Sequence, residues 1–231
     1  QAAAPEPEAD GSIVSATGLK LVPVAEGLEF PWGMAALPNG DLLVTEREGR
    51  LRLIQGGTLV DAPLSGLPDD ILVAGQGGLL GILLDPDFAT NRKLYLSYSK
   101  DMDGTNTTAV VSATLADDAS GLGDVTEIFR GETRETTFHY GSRMAFLPDG
   151  RLLVTEKAGR LLVVDRAGNK SQPVSGVPDV DYGGQGGLGD VVLHPRFAEN
   201  GLIYISYVEA GDDVPPGAPA PTRKRPVATE L

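Results

Sequence analysis

The sequence predicts an all-β fold, a β-propeller of four-stranded antiparallel blades, with about three and a half blades in this chain. Three observations carry that reading. Apolar residues come in short runs, and helical spacing of three to four is absent almost everywhere. Asn39-Gly40 and Asp149-Gly150 each sit between apolar runs, where a tight hairpin needs positive φ. The chain also repeats itself at an offset of 110 residues. That period is too long for one helical hairpin, and it fits two blades of about 40 to 50 residues each with their loops.

The strands follow in order. The first group lies near 32–37, 41–46, 50–55 and 58–62, around the Asn39-Gly40 turn. The second lies near 79–84, 93–99, 107–115 and 124–130. A third is expected near 142–147, 151–156, 160–165 and 170–174. A half group follows near 188–194 and 202–207. Each full group reads as one antiparallel blade.

The repeat is explicit. PNGDLLVTEREGRLRLI, starting at Pro38, and PDGRLLVTEKAGRLLVV, starting at Pro148, share 10 of 17 residues. Pro63, Gly66 and Pro68 recur as Pro173, Gly176 and Pro178. The run from Gly75 to Leu79, Gly-Gln-Gly-Gly-Leu, recurs from Gly184 to Leu188 at an offset of 109, so one residue has dropped out. Pro86, Phe88, Tyr95, Ser97 and Tyr98 recur as Pro195, Phe197, Tyr204, Ser206 and Tyr207.

The ends read differently. Residues 1–19 are expected to form a flexible leader, opening on Gln1 with Ala, Pro and acid, as in a processed or partial chain. Residues 20–210 are the partial propeller, two copies of a two-blade unit with the second from about 141. Residues 211–231 read as a Pro-rich tail, in which Arg223, Lys224 and Arg225 are a solvated basic cluster. Three and a half blades leave sheet edges open. The sequence therefore predicts either the front part of a longer protein or a homodimer that covers those edges.

Composition excludes several classes. Nineteen Lys and Arg against 32 Asp and Glu give a net charge of −13, which repels phosphate backbones and anionic membranes, so no nucleic-acid partner is expected. No apolar run approaches the length of a membrane span. The absence of cysteine removes disulfides, thiolate metal sites and a Cys nucleophile. Neither a Gly-rich phosphate loop nor a zinc motif nor a Gly-x-Ser-x-Gly nucleophile is present.

Five segments occur in order: FPWGMAALPNGDLLVTEREGRLRLI, GQGGLLGILLDPDFATNRKLYLSYS, TTAVVSATL, EIFRGE and HYGSRMAFLPDG. Together, over about residues 20 to 150, they resemble the soluble quinoprotein sugar dehydrogenases of the glucose/sorbosone dehydrogenase family. The resemblance implies a six-bladed propeller, usually periplasmic or secreted, that oxidises aldoses at the anomeric carbon to lactones. It implies pyrroloquinoline quinone (PQQ) as cofactor and calcium to hold and polarise it. The electron acceptor is not readable.

The resemblance makes His139, in His-Tyr-Gly-Ser-Arg, the catalytic base. A histidine near neutral pKa suits removal of a hydroxyl proton, and the alternative is a strand-end histidine bonded to backbone. Gln76 matches the family's sugar-facing glutamine. An amide both donates and accepts, which suits a polyol, and the alternative is a structural amide in a glycine turn. Gln185 is its copy, with no clear role. Arg143 reads as a substrate-binding residue or as one partner of a salt bridge. His194, the counterpart of Asp85, reads as a strand-end surface residue. Trp32 reads as core, with ring stacking as the alternative. Asp101 to Asn106 reads as a hairpin loop, since it lacks the distal glutamate of a calcium loop. No metal ligand is assigned.

Two departures from the family pattern stand out. After HYGSR the chain returns to a copy of the first blade. The later family motifs Arg-Asn-Pro-Gln-Gly and Glu-x-Gly-Pro, which serve the cofactor and calcium, are missing. The chain thus carries the sugar-facing front of such a site, and alone it is expected to be inactive or nearly so. A non-catalytic propeller-type binding module is the competing reading, and a metal-dependent lactonase is a third.

Overall fold

The computed structural model describes residues 13–14, 20–135, 137–138, 140–141, 143–181, 186–210 and 222–230. It is nearly all β. A two-residue pairing, β1 (Ile13–Val14) with β2 (Lys20–Leu21), precedes the first blade and begins inside the stretch expected to be a leader. The first sheet holds β3 (Pro31–Ala36), β4 (Leu42–Glu46), β5 (Arg50–Gln55) and β6 (Thr58–Leu59). The second holds β7 (Leu79–Leu84), β8 (Lys93–Asp101), β9 (Asn106–Leu115) and β10 (Leu122–Arg130), with the one-turn helix α1 (Phe88–Asn91) between its first two strands. The third holds β11 (Met144–Phe146), β12 (Leu152–Glu156) and β13 (Arg160–Val164). The fourth holds β14 (Leu188–Leu193), α2 (Phe197–Asn200), β15 (Leu202–Ala210) and β16 (Thr222–Glu230). All four are antiparallel meanders, and their first strands meet in succession, as blades do around an axis.

Burial explains the blade form. Along β8 and β9, Leu94, Leu96, Tyr98, Ala109, Val111, Ala113 and Leu115 face the first sheet. Val110 and Tyr95 face the third. A sheet that buries both faces needs a neighbour on each side, so the blades stack. A second core joins the third and fourth sheets through Leu153, Leu161, Val191, Ile203 and Ile205.

The two copies use the same joint. Thr45 is fully buried; its Oγ1 accepts the Gly33 amide at 2.8 Å and donates to the Leu80 carbonyl at 2.5 Å, tying the first blade to the second. Thr155, equally buried, accepts the Arg143 amide at 3.2 Å and donates to the Gly189 carbonyl at 3.0 Å. Next to the first joint the Leu79 amide donates to Arg47 O, and the Leu188 amide donates likewise to Lys157 O. Gly78 sits there at φ +153°, and a Cβ on it would lie 1.7 Å from Arg47 O. Only glycine allows the strand to pass that close.

Three expectations change. The fourth strand of the third group, near 170–174, is a single bridge between Val164 and Lys170. Asp165 caps a tight turn there by accepting the Ala167 and Asn169 amides, and Pro173 lacks a donor to extend the ladder. Part of the stretch read as a tail, Thr222–Glu230, is β16, paired with β15 over nine positions from Leu202↔Glu230 to Ala210↔Thr222. The pairing satisfies backbone groups that an apolar β15 would otherwise leave open. Trp32 is not core: it is 54% exposed. The Asp101–Asn106 hairpin is as expected, closed by Met102 N–H donating to Thr105 O.

Candidate functional site

The first strands of the blades and the loops beside them enclose a cavity of about 390 Å³. All four blades contribute to it. Trp32 comes from β3, Arg47 from the β4–β5 turn and Gln76 from the loop before β7. Tyr140 precedes β11, Lys157 lies in the β12–β13 turn, and Tyr207 belongs to β15. Arg47 and Lys157 occupy equivalent positions in the two copies, each directly after the repeated Val-Thr-Glu. Among the described residues the lining thus has two cations, three aromatic rings, one amide and no carboxylate.

Gln76 is half-buried, and its backbone is fixed against the histidine segment: the Gln76 amide donates to Thr137 O at 2.9 Å. Gly75 makes this approach feasible. Its φ is +58°, and a Cβ there would lie 2.6 Å from both Thr137 O and Thr137 Oγ1. On the other side of position 139, Thr108 Oγ1 donates to Tyr140 O at 2.6 Å. Arg134 exchanges backbone hydrogen bonds with Asn106 at 2.7 and 2.8 Å, and its guanidinium lies 5.3 Å from the Tyr140 ring centre. The segment is therefore held on both flanks of His139. His139 itself, like Gln185, lies outside the described residues.

Electrostatics favour anionic or polyol ligands. Burial lowers the Lys157 pKa, repulsion from Arg134 lowers it further, and Asp181 offsets part of this. Burial raises the Tyr140 phenol, against the pull of Arg134 and Ser99, so it stays protonated at neutral pH. Arg47 Nη1 donates to Gly75 O at 2.9 Å, and its guanidinium lies 4.9 Å from the Phe30 ring centre. The cation is therefore positioned rather than free to swing.

Not every expected residue reaches the cavity. Arg143 is absent from its lining; its Nε lies 3.4 Å from Asp190 Oδ1, in an exposed ion pair. His194 replaces Asp85 as a turn acceptor. Asp85 Oδ1 accepts the Asp87 amide, and His194 Nδ1 accepts the Arg196 amide at 2.9 Å. Neither cation was singled out from the sequence; the alignment of Arg47 with Lys157 in the repeat was the one signal that could have found them.

The glucose/sorbosone dehydrogenase family model matches the chain twice, over residues 28–148 and again over 143–218. The chain belongs to the glucose/sorbosone dehydrogenase family. The second match opens where the second copy of the repeat opens, so the duplication repeats family sequence. The aldose sugar dehydrogenase YliI of Escherichia coli is 44% identical over 130 residues, covering 55% of this chain and 35% of that protein. A crystal structure of a glucose dehydrogenase superposes with a TM-score of 0.67 at 32% identity, over 80% of this chain and 59% of that one. The PQQ-bound aldose sugar dehydrogenase of Streptomyces coelicolor superposes with a TM-score of 0.66 at 27% identity, over 83% and 60%. This member of the family therefore spans about a third of the length of the curated relatives it matches. Its sheets are the blades of a β-propeller. No helix among the described residues is long and apolar enough to cross a membrane.

Proposed function

We propose that this chain carries the sugar-facing side of a PQQ-dependent aldose dehydrogenase, a protein exported to the periplasm or beyond. The observation that carries the reading is the 2.9 Å bond from the Gln76 amide to Thr137 O, which brings the glutamine loop of one blade against the segment bearing His139. An aldose in the cavity would exchange hydrogen bonds with the Gln76 amide, and Trp32 offers a ring face for its apolar side. At the anomeric carbon the C–H and O–H bonds break and the lactone C=O forms. His139 takes the hydroxyl proton. PQQ, when bound, supplies the two-electron acceptor for the hydride.

The donor set suits a flat polyanionic quinone: Arg47 and Lys157 offer charge to carboxylates, and Trp32 and Tyr140 offer aromatic surface. Calcium belongs to this reading by family. No group of three or more His, Cys, Asp or Glu gathers among the described residues. Arg143 is the least supported of the three site residues, since Asp190 already engages it.

Calorimetric titration of the chain with PQQ and calcium, alongside aldose-dependent dye reduction, tests the proposal. Because this sequence lacks the later family motifs, sugar and PQQ binding with little turnover is the expected result. Gln76→Ala should weaken sugar binding, and His139→Ala should remove whatever rate remains. Sugar binding with no affinity for PQQ would overturn the proposal in favour of a binding module.

A further inference from the structure

Residues 72–78 leave the second blade and return to it, with Gln76 in the turn between. The Gly77 amide donates to Ala74 O at 2.8 Å and closes that turn. Both ends of the excursion meet one residue, Ser99 of β8. The Leu72 amide donates to Ser99 O at 2.8 Å, and the Ser99 amide donates to Gly78 O at 2.9 Å. The Ser99 side chain repeats the connection: its Oγ accepts the Gly78 amide at 2.6 Å and donates to Leu72 O at 2.7 Å. Ser99 is fully buried, so water cannot stand in for its hydroxyl. The packing is close: a Cβ on Gly77 would lie 2.6 Å from Ser99 Oγ and 3.0 Å from the Tyr140 ring. A second tie lies beside the first. Lys100 Nζ bonds the Asp70 carboxylate, and the Asp101 amide donates to Asp70 O at 2.8 Å.

The repeat provides an internal comparison. Val208 stands where Ser99 stands. Its main chain makes the same two bonds: the Asp181 amide donates to Val208 O at 2.8 Å, and the Val208 amide donates to Gly187 O at 3.0 Å. A valine side chain has neither donor nor acceptor, so the hydroxyl bridge has no counterpart there. The second tie is lost as well. Glu209 replaces Lys100, and the residue that dropped out of the second copy is Asp70. Asp69 matches Asp179, and Ile71, which packs under Gly49, matches Val180, which packs under Gly159. The backbone frame alone therefore suffices to build this part of a blade. The side-chain clasp is an addition, made in the copy whose glutamine lines the cavity.

We propose that Ser99 is a positioning residue for sugar binding. Its hydroxyl fixes both ends of the excursion and so holds the Gln76 side chain toward the cavity before the sugar arrives, while the Lys100–Asp70 tie secures the start of the loop. A loop ordered in advance spares binding the cost of ordering it. The inference rests on the reading of Gln76 as the sugar-facing residue.

Calorimetric titration of the whole chain with a panel of aldoses, D-glucose first, tests it. Ser99→Ala should weaken sugar binding about three- to thirtyfold, the scale of a lost buried hydrogen bond. Ser99→Thr keeps the hydroxyl and should bind more tightly than Ser99→Ala. Hydrogen exchange at the Gln76 amide should quicken in Ser99→Ala. In a Gln76→Ala background, Ser99→Ala should cost the sugar nothing further, a dependence that a general loss of packing would not reproduce. Should Ser99→Ala fail to fold, Lys100→Met cuts the neighbouring tie and should show the same dependence on Gln76. Unchanged sugar affinity in Ser99→Ala would overturn the proposal and leave the sugar-facing reading of Gln76 standing. So would an equal loss with and without Gln76, which marks a role in stability alone. An unmodified chain that binds no aldose would overturn that reading, and the proposal with it.

Discussion

The amide of Gln76 and the carbonyl of Thr137 are 2.9 Å apart, and this single backbone bond joins the glutamine loop of the second blade to the approach of the third. The glutamine and the histidine segment therefore form one unit. What disturbs one should disturb the other.

Gly75→Ala tests that coupling. The position needs φ near +58°, and the added methyl would strike Thr137 O. The expected cost is about 1–3 kcal/mol, together with faster hydrogen exchange at the Gln76 amide. Measured by denaturant unfolding and amide exchange, an unchanged Gln76 amide would mean that the loop is held elsewhere.

The two buried threonines should behave alike. Thr45→Val and Thr155→Val each remove a hydroxyl that accepts one backbone amide and donates to the next blade. Each should lower stability by about 1–3 kcal/mol, because a buried amide and carbonyl lose their partner. Urea unfolding of both variants provides the comparison.

Glu46 should shape the acid limb of stability. Burial alone would raise its carboxyl, but the Glu29 amide at 2.6 Å, Arg50 and Arg52 together hold it below the ordinary value. A depressed folded-state pKa contributes stability above the unfolded value and loses it as pH falls through the folded one. Glu46→Gln should therefore be destabilised by about 1–3 kcal/mol near neutrality. Its deficit should close in acid. Thermal unfolding across pH measures the gap.

Arg47→Met and Lys157→Met should each weaken PQQ binding about ten- to a hundredfold, the scale of one charge-assisted hydrogen bond. Calorimetry reads the change directly. Equal losses would indicate that both copies of the repeat contribute to one site.

Much of this was legible in the sequence, for local reasons. Asn39-Gly40 and Asp149-Gly150 announced their hairpins, and the strands around them fall within a residue or two of expectation. Strand β16 was hidden because Pro226 and three consecutive cations look like a tail; a proline is tolerated there because β16 is an outer strand with one unpaired side. Trp32 was misread because its local sequence says strand, and nothing local says that this strand turns its ring into a cavity. The glycine-rich loop that carries Gln76 was readable, and it lies at the cavity. The cavity role of Tyr140 and Lys157 was not, since it depends on how blades distant in sequence turn toward one axis.

The shared threonine joint has a consequence for assembly. The β4–β5 and β12–β13 hairpins present nearly the same sequence and the same Thr-to-carbonyl handle, so β7 and β14 each meet two acceptable suitors. A few substitutions, such as Leu53 against Val163 on the core-facing side and Ala36 against Phe146 on the other, tell them apart. Synthesis from the N-terminus resolves the ambiguity, because the first hairpin docks with β7 before the second exists. A chain released all at once from denaturant has no such order, and its refolding should pass through a compact species with the hairpins exchanged.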